Sequence, residues 1–389
     1  MSAPRILGVG MTRFGRHPDR SLKDLAREAV ALSLSDAGLG PEAVQMALVG
    51  NAMAGTMTGQ ESVRGQVVLQ DTGIGGVPIV NVENACASSS TALHLACNAV
   101  VAGQAECVLV VGVEKLYHPD RRRTLLALAG AAEVTENTPA APNSSPFMEI
   151  YAERVRRYLH THGLTAHDLA WIASKNHGHA VENPLAQYRE PYTPEEVLAS
   201  PMVAEPLTRL MCSPITDGAA AAVVTSERFA REQGRDGVAI RASVLVSGHP
   251  SVDEDNEAVL ARAAAAAYAT AGAGPDDVDV AEVHDAAASG ELLAYAPLGL
   301  CRPGEESRLI ADGFTALGGT KPVNPSGGLE TKGNPSGATG LGQIAELVCQ
   351  LRGQAGARQV PGARIAVAEN AGGTVADRTA AVCIHVLAR

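Results

Sequence analysis

The chain has 389 residues, 46% of them hydrophobic, enough for two or three domain-sized cores. Aromatics make up 3%, the net charge is −11 and no basic run exceeds Arg121–Arg123, which excludes aromatic platforms and phosphate-backbone footprints for nucleic acid. Seven scattered cysteines (86, 97, 107, 212, 301, 349 and 383) form no CxxC pair, and no stretch reaches the roughly 18 apolar residues of a membrane span, so a cytoplasmic protein with reduced thiols and no metal site is expected.

Ile6 to Val9 reads as a strand, Ser21 as the cap of a helix running to about Ala37, and Met46 to Gly50 as the next strand. The same order returns later: Val238 to Val246 as strand, Glu257 to about Ala271 as helix, Val278 to Val283 as strand. The helix-to-strand links nearly repeat, Asp36-Ala-Gly-Leu-Gly-Pro-Glu-Ala-Val against Thr270-Ala-Gly-Ala-Gly-Pro-Asp-Asp-Val, at an offset of 234 residues. That spacing predicts an α/β protein built from two duplicated halves. The expected division is 1–240 and 241–389, with a Pro- and charge-rich insertion over about 115–235 in the first half, covering one end of the sheets where ligand-facing loops gather.

Pro78 to Val82 leads as a strand into a turn of small residues around Cys86 and then an amphipathic helix. A cysteine beside a helix N-terminus meets free backbone N–H groups and the positive end of the dipole, which favour a thiolate and later an oxyanion.

Asn84-Ala-Cys86-Ala-Ser-Ser-Ser-Thr-Ala resembles the nucleophile segment of the thiolase superfamily. Four further segments match in order. Lys175-Asn-His-Gly-His-Ala-Val-Glu-Asn-Pro-Leu-Ala-Gln-Tyr188, with Cys212-Ser-Pro-Ile-Thr-Asp217, is similar to the insertion of the sterol-carrier-protein-type and archaeal branch. Val283-His284-Asp285-Ala286, Lys332-Gly-Asn334-Pro335-Ser-Gly337 and Glu369-Asn370-Ala-Gly372-Gly373 resemble its later motifs.

The resemblance implies two similar βαβαβ halves in a five-layered αβαβα core, and acyl transfer through a thioester on Cys86 with coenzyme A thioesters as substrates and no tightly bound cofactor. It implies a homodimer, and relatives of this branch bind an OB-fold, zinc-ribbon partner. Two departures alter the chemistry. Asn334 stands where the family's Gly-His-Pro histidine would be, and Ala286 and Asn370 stand where a second cysteine would be. What remains, Cys86, His284 and Asn334 with Gly372 in the oxyanion loop, resembles the Cys-His-Asn set of decarboxylating condensing enzymes. There His284 would accept the thiol proton, and His284 and Asn334 would both donate to an enolate oxygen formed from a malonyl-type donor. The expected activity is a Claisen-type acyl-CoA C-acyltransferase. The alternatives are an aldolase-type lyase on CoA-linked substrates with an OB-fold partner, or a non-catalytic subunit. Tyr117, Tyr151, Tyr188 and Tyr295 carry no assigned role, His177 and His179 are candidates to line the acyl pocket, and the Gly333–Gly342 run is expected to let a second core helix pack closely.

Overall fold

A computed structural model describes residues 3–134, 145–248, 255–376 and 378–389. Its strands are β1 (Arg5–Met11), β2 (Met46–Gly50), β3 (Ile79–Val82), β4 (Cys107–Lys115), β5 (Met202–Ala204), β6 (Leu207–Thr208), β7 (Asp217–Thr225), β8 (Val238–Val246), β9 (Val280–Glu282), β10 (Ile365–Val375) and β11 (Arg378–Ala388). Nine of them form one sheet in the order β3-β2-β4-β7-β1-β8-β11-β10-β9, and β5 and β6 form a hairpin of their own.

The sheet is two copies of one pattern joined edge to edge. Outward from the joint, β1-β7-β4-β2 pair antiparallel, antiparallel and parallel, and β8-β11-β10-β9 do the same. The joint itself is a short antiparallel pairing, Arg5 opposite Ala239 and Ile6 opposite Val238. The 234-residue offset maps the helix Leu22–Ala37 onto Asn256–Ala271 and the 3-10 turn Pro41–Ala43 onto Pro275–Asp277. Both helices start at a side-chain cap, Ser21 and Asp255, and stop at a left-handed glycine, Gly38 and Gly272.

Side-chain alternation produces the layers. In β4, Cys107, Leu109, Val111 and Val113 pack with the helix Leu22–Ala37, whereas Val108 and Val110 face the other way. There they join Ala222, Ile240 and Ala366, from both halves, around the helices Ser88–Val101 and Thr339–Arg352. On the far side of the second half, Val367, Ile384 and Val386 pack with the helix Asn256–Ala271. Helix, half-sheet, central helix pair, half-sheet and helix therefore make five layers, the fold expected from the sequence. Burial of the central pair explains why every residue from Thr339 to Val348 is inaccessible.

Between β4 and β7 the chain makes the helices Arg121–Ala129, Pro146–His162 and Ala166–Ala180 together with the small hairpin. Val155, Leu169 and Ile172 of this insertion join Leu292 and Val323 in the core of the second half. Residues 135–144 of the insertion lie outside the described residues. Asp217–Thr225, which the sequence reading placed inside the insertion, is instead the interior strand β7, between β4 and β1. Its Ala-rich run is buried at every position, as a strand covered on both faces requires. No helix among the described residues is long and apolar enough to cross a membrane.

Candidate active site

Strand β3 delivers the chain into the 3-10 turn Ala85–Ala87, and the helix Ser88–Val101 follows without a break. Ala85 adopts φ 48°, a left-handed conformation that costs an L-residue about 1–2 kcal/mol. The surroundings hold it there. Its N–H donates to Glu83 Oε1 at 2.6 Å, Ser88 Oγ donates to its carbonyl at 2.6 Å, and the Asn84 N–H donates to Ser88 Oγ at 3.0 Å. Gly372 in β10 crosses so close above the turn that a Cβ there would lie 2.1 Å from the Asn84 carbonyl oxygen and 2.5 Å from the Ala87 nitrogen.

Cys86 sits where two cavities meet; Tyr151 and Ala286 also line both. The larger, about 710 Å³, is lined by Asn334 and Ser336 beside the thiol and also by Arg16, Arg121, Arg189 and Arg209. The smaller, about 100 Å³, contains His284, Glu369 and Gly372 against Leu260 and Leu293. His284 and Asn334 thus flank Cys86 from separate cavities, and among the described residues no hydrogen bond joins His284 to the thiol.

Burial pushes the Cys86 thiol up to about 11, and the charge of Glu114 adds to this, while the side chains of Ser336 and Asn334 and the backbone pull it down. Burial thus opposes the thiolate that a helix terminus favours. Glu114 accepts from the backbone N–H groups of Ala52 at 2.9 Å and Gly337 at 3.1 Å, and from Asn51 Nδ2 at 2.9 Å. Its burial nevertheless raises it to about 7.

Burial lowers His284 to about 4, so the ring is neutral at physiological pH. Its tautomer follows from its partners. In this orientation of the Asn370 amide, Oδ1 accepts from Ser90 Oγ at 2.8 Å and the amide nitrogen faces His284 Nδ1 at 2.9 Å. An amide nitrogen only donates, so Nδ1 accepts and the ring proton is on Nε2. In this tautomer His284 is a hydrogen-bond donor to the smaller cavity, and the expected uptake of the Cys86 proton uses the other tautomer, in which Nδ1–H donates to the Asn370 oxygen. Asn334 is oriented similarly: its Oδ1 accepts from Thr339 Oγ1 at 2.8 Å, leaving its amide N–H₂ for the cavity.

Several other sequence candidates sort clearly. His177 lines the larger cavity, its Nε2 bonded to the Leu210 carbonyl at 3.1 Å. His179 does not line it; its two nitrogens bond the Asn324 carbonyl and the Leu317 N–H, both at 3.0 Å, a structural role. Tyr295 is fully buried on Glu291 Oε1 at 2.5 Å, and Tyr117 stacks under Arg16 with 5.6 Å from cation to ring centre. Tyr188 lines the larger cavity. Sequence reasoning missed Ser336, Glu114 and Glu369. The first could have been found by superposing the two 3-10 turns, since Ser336–Ala338 precedes its helix as Ala85–Ala87 does.

The family described as Thiolase, N-terminal domain, matches residues 5–228, and that described as Thiolase C-terminal domain-like matches residues 219–385. Sterol carrier protein 2 of Rattus norvegicus is 38% identical over 386 residues, 94% of this chain and 69% of the relative. Acetyl-CoA acetyltransferase of Methanothermobacter thermautotrophicus is 38% identical over 398 residues, 99% of both chains. Among solved structures, the Ltp2-ChsH2(DUF35) aldolase superposes with a TM-score of 0.81 at 27% identity, covering 99% of this chain and 97% of that one. The chain belongs to the thiolase family and is an acyltransferase.

Proposed function

We propose that the chain transfers an acyl group from a coenzyme A thioester to Cys86 and from there to a carbon nucleophile, a Claisen-type condensation run in either direction. The observation that carries this reading is the position of Cys86 at the meeting point of two cavities, one wide enough for a pantetheine arm and one small, with donors on both sides. Storing the acyl group on sulfur divides one difficult transfer into two easier steps. In a chain of net charge −11, the four arginines of the larger cavity are a local match for the phosphates of coenzyme A. The N–H groups of Cys86 and Gly372 would hold the thioester oxygen, and the Nε2–H of His284 and the amide of Asn334 would steady negative charge on either side of the sulfur. Incubation with an acyl-CoA panel should add the acyl mass to Cys86, and Cys86→Ala should abolish it; a chain that never acylates refutes the reading.

The likeness to an aldolase favours a second reading, retro-aldol cleavage of a CoA-linked substrate with an OB-fold partner. That activity would survive Cys86→Ser, so its loss in that variant rejects this alternative. The exposed edge strand β3, with Val80 on its surface, supports homodimer formation, and scattered free thiols support a cytoplasmic site.

A further inference from the structure

Condensation needs an enolate as well as an acyl-enzyme, and the usual groups that make one by taking an α-proton are missing. Ala286, Asn334 and Asn370 cannot act as bases, and His284 in this tautomer presents a proton to the cavity rather than a lone pair. Glu369 lies in the same small cavity as Cys86 and His284, projecting from β10 on the face opposite Asn370. Its Oε2 accepts the His284 backbone N–H at 2.8 Å, and among the described residues no donor reaches Oε1. We propose that Glu369 is the general base of the carbon-acid step, removing the α-proton of a donor acyl-CoA in the small cavity so that no decarboxylation is required.

This assignment rests on the acyl-Cys86 reading for the second half of the reaction but not for the first. Glu369 Oε1 takes the α-proton, and the electron pair moves onto the thioester oxygen, where the Nε2–H of His284 meets it. The α-carbon then forms a bond to the carbonyl carbon of the acyl-Cys86 thioester, the C–S bond breaks, and the departing sulfur recovers the proton from the Glu369 carboxyl. The sum is acyl-S-Cys86 plus donor acyl-CoA giving 3-oxoacyl-CoA plus free thiol, with no oxidant or reductant.

The charge environment suits the role. The titratable groups lining the small cavity with Glu369 are Cys86, His284, Tyr151, Arg154 and Glu257, with Cys383 nearby; Arg154 is the cation among them, and what shifts Glu369 is burial and the His284 N–H. Arg154 and Glu257 are of opposite charge, and the Arg154 charge acts on Glu257. A buried carboxyl is expensive as an ion. Burial accordingly raises Glu369 to about 7, the His284 N–H opposing it, and a base poised near the working pH is the most effective kind.

The test is α-hydrogen exchange of acetyl-CoA in D₂O, read by mass spectrometry. The wild type should incorporate deuterium, with a rate falling about tenfold per pH unit below about 7. Glu369→Gln keeps an oxygen for the His284 N–H but no base, and should slow exchange by about 10²–10⁴-fold; Glu369→Asp should recover part of it. Exchange in Glu369→Gln within threefold of wild type, or a wild-type rate flat from pH 5 to 8, overturns the proposal. Acyl labelling of Cys86, read in parallel, keeps the two claims apart. Labelling of the wild type without α-exchange rejects Glu369 as base and leaves the acyl-enzyme standing; α-exchange without labelling supports the base and rejects the acyl-enzyme.

Discussion

Substituting Gly372 by alanine tests whether the contact between β10 and the cysteine turn sets the site's geometry. The added Cβ would start 2.1 Å from the Asn84 carbonyl oxygen and 2.5 Å from the Ala87 nitrogen, against about 3.4 Å for ordinary contact. Strand and turn must separate by about 1.3 Å, and both obstructing atoms are backbone, so no side chain can swing aside. Overpacking of this kind costs about 1–3 kcal/mol, and Ala85 already sits in a strained conformation that leaves little freedom to adapt. A shift of about 1 Å in a reacting group costs about 10²-fold in rate. Gly372→Ala should therefore melt several degrees lower and acylate Cys86 about 10²-fold more slowly. Gly178→Ala is the matched control: its site is exposed, helical and open, so stability should rise by up to about 1 kcal/mol with no change in acylation. Wild-type melting and wild-type acylation in Gly372→Ala would refute the reasoning.

Because Cys86 rests as a thiol near 11, its alkylation by iodoacetamide should climb about tenfold per pH unit from 7 to 10, and Asn334→His should raise the rate at pH 7.5 at least tenfold; a plateau near pH 8 would contradict this. His385 is buried, neither ring nitrogen makes a well-formed hydrogen bond among the described residues, and burial first, then the nearby His94, lowers it to about 3 while the Ser90 backbone opposes this. Its folded value lies below the unfolded one, so the unfolded chain binds a proton first and stability is lost as pH falls from about 6.5 toward 3, by up to about 1.4 kcal/mol per unit. His385→Leu should shrink the stability difference between pH 7 and pH 5 by about 2 kcal/mol in denaturant titrations. Lys332→Met leaves Glu282 buried without its cation and should cost about 3–5 kcal/mol, with much of the loss regained when Glu282 is changed to Gln as well.

The architecture was legible because it is written twice. Ser21 as a cap, the Gly-Pro link and its echo near Pro275 are local signals, and their common spacing carried the duplication into two halves, while the five-layered packing came from the resemblance to the thiolase superfamily. Strand, small-residue turn and amphipathic helix around Cys86 were legible locally, and the ordered motif matches singled it out as the nucleophile candidate. The protonation states were not. The donor role of His284 depends on Ser90 and Asn370, which are 280 residues apart and meet only in the folded chain. Glu369 reads in sequence as one more residue of the glycine loop, and only its place in the small cavity beside His284 sets it apart. Strand β7 escaped because an unbroken Ala-Val run has no alternation to declare itself, a consequence of burial on both faces.

The repeated halves also explain why this catalyst is one chain and not a pair of identical half-chains. At the offset that superposes the two central helices, the partner of Cys86 is Gly337. A side chain there would press within 2.9 Å of the Asn51 Cα and the Val113 carbonyl, beside Glu114. Two unlinked copies would be obliged to carry the same residue at both places. Fusion lifts that obligation: one turn can carry a reactive sulfur while its twin stays bare, so a symmetric scaffold can hold an asymmetric reaction.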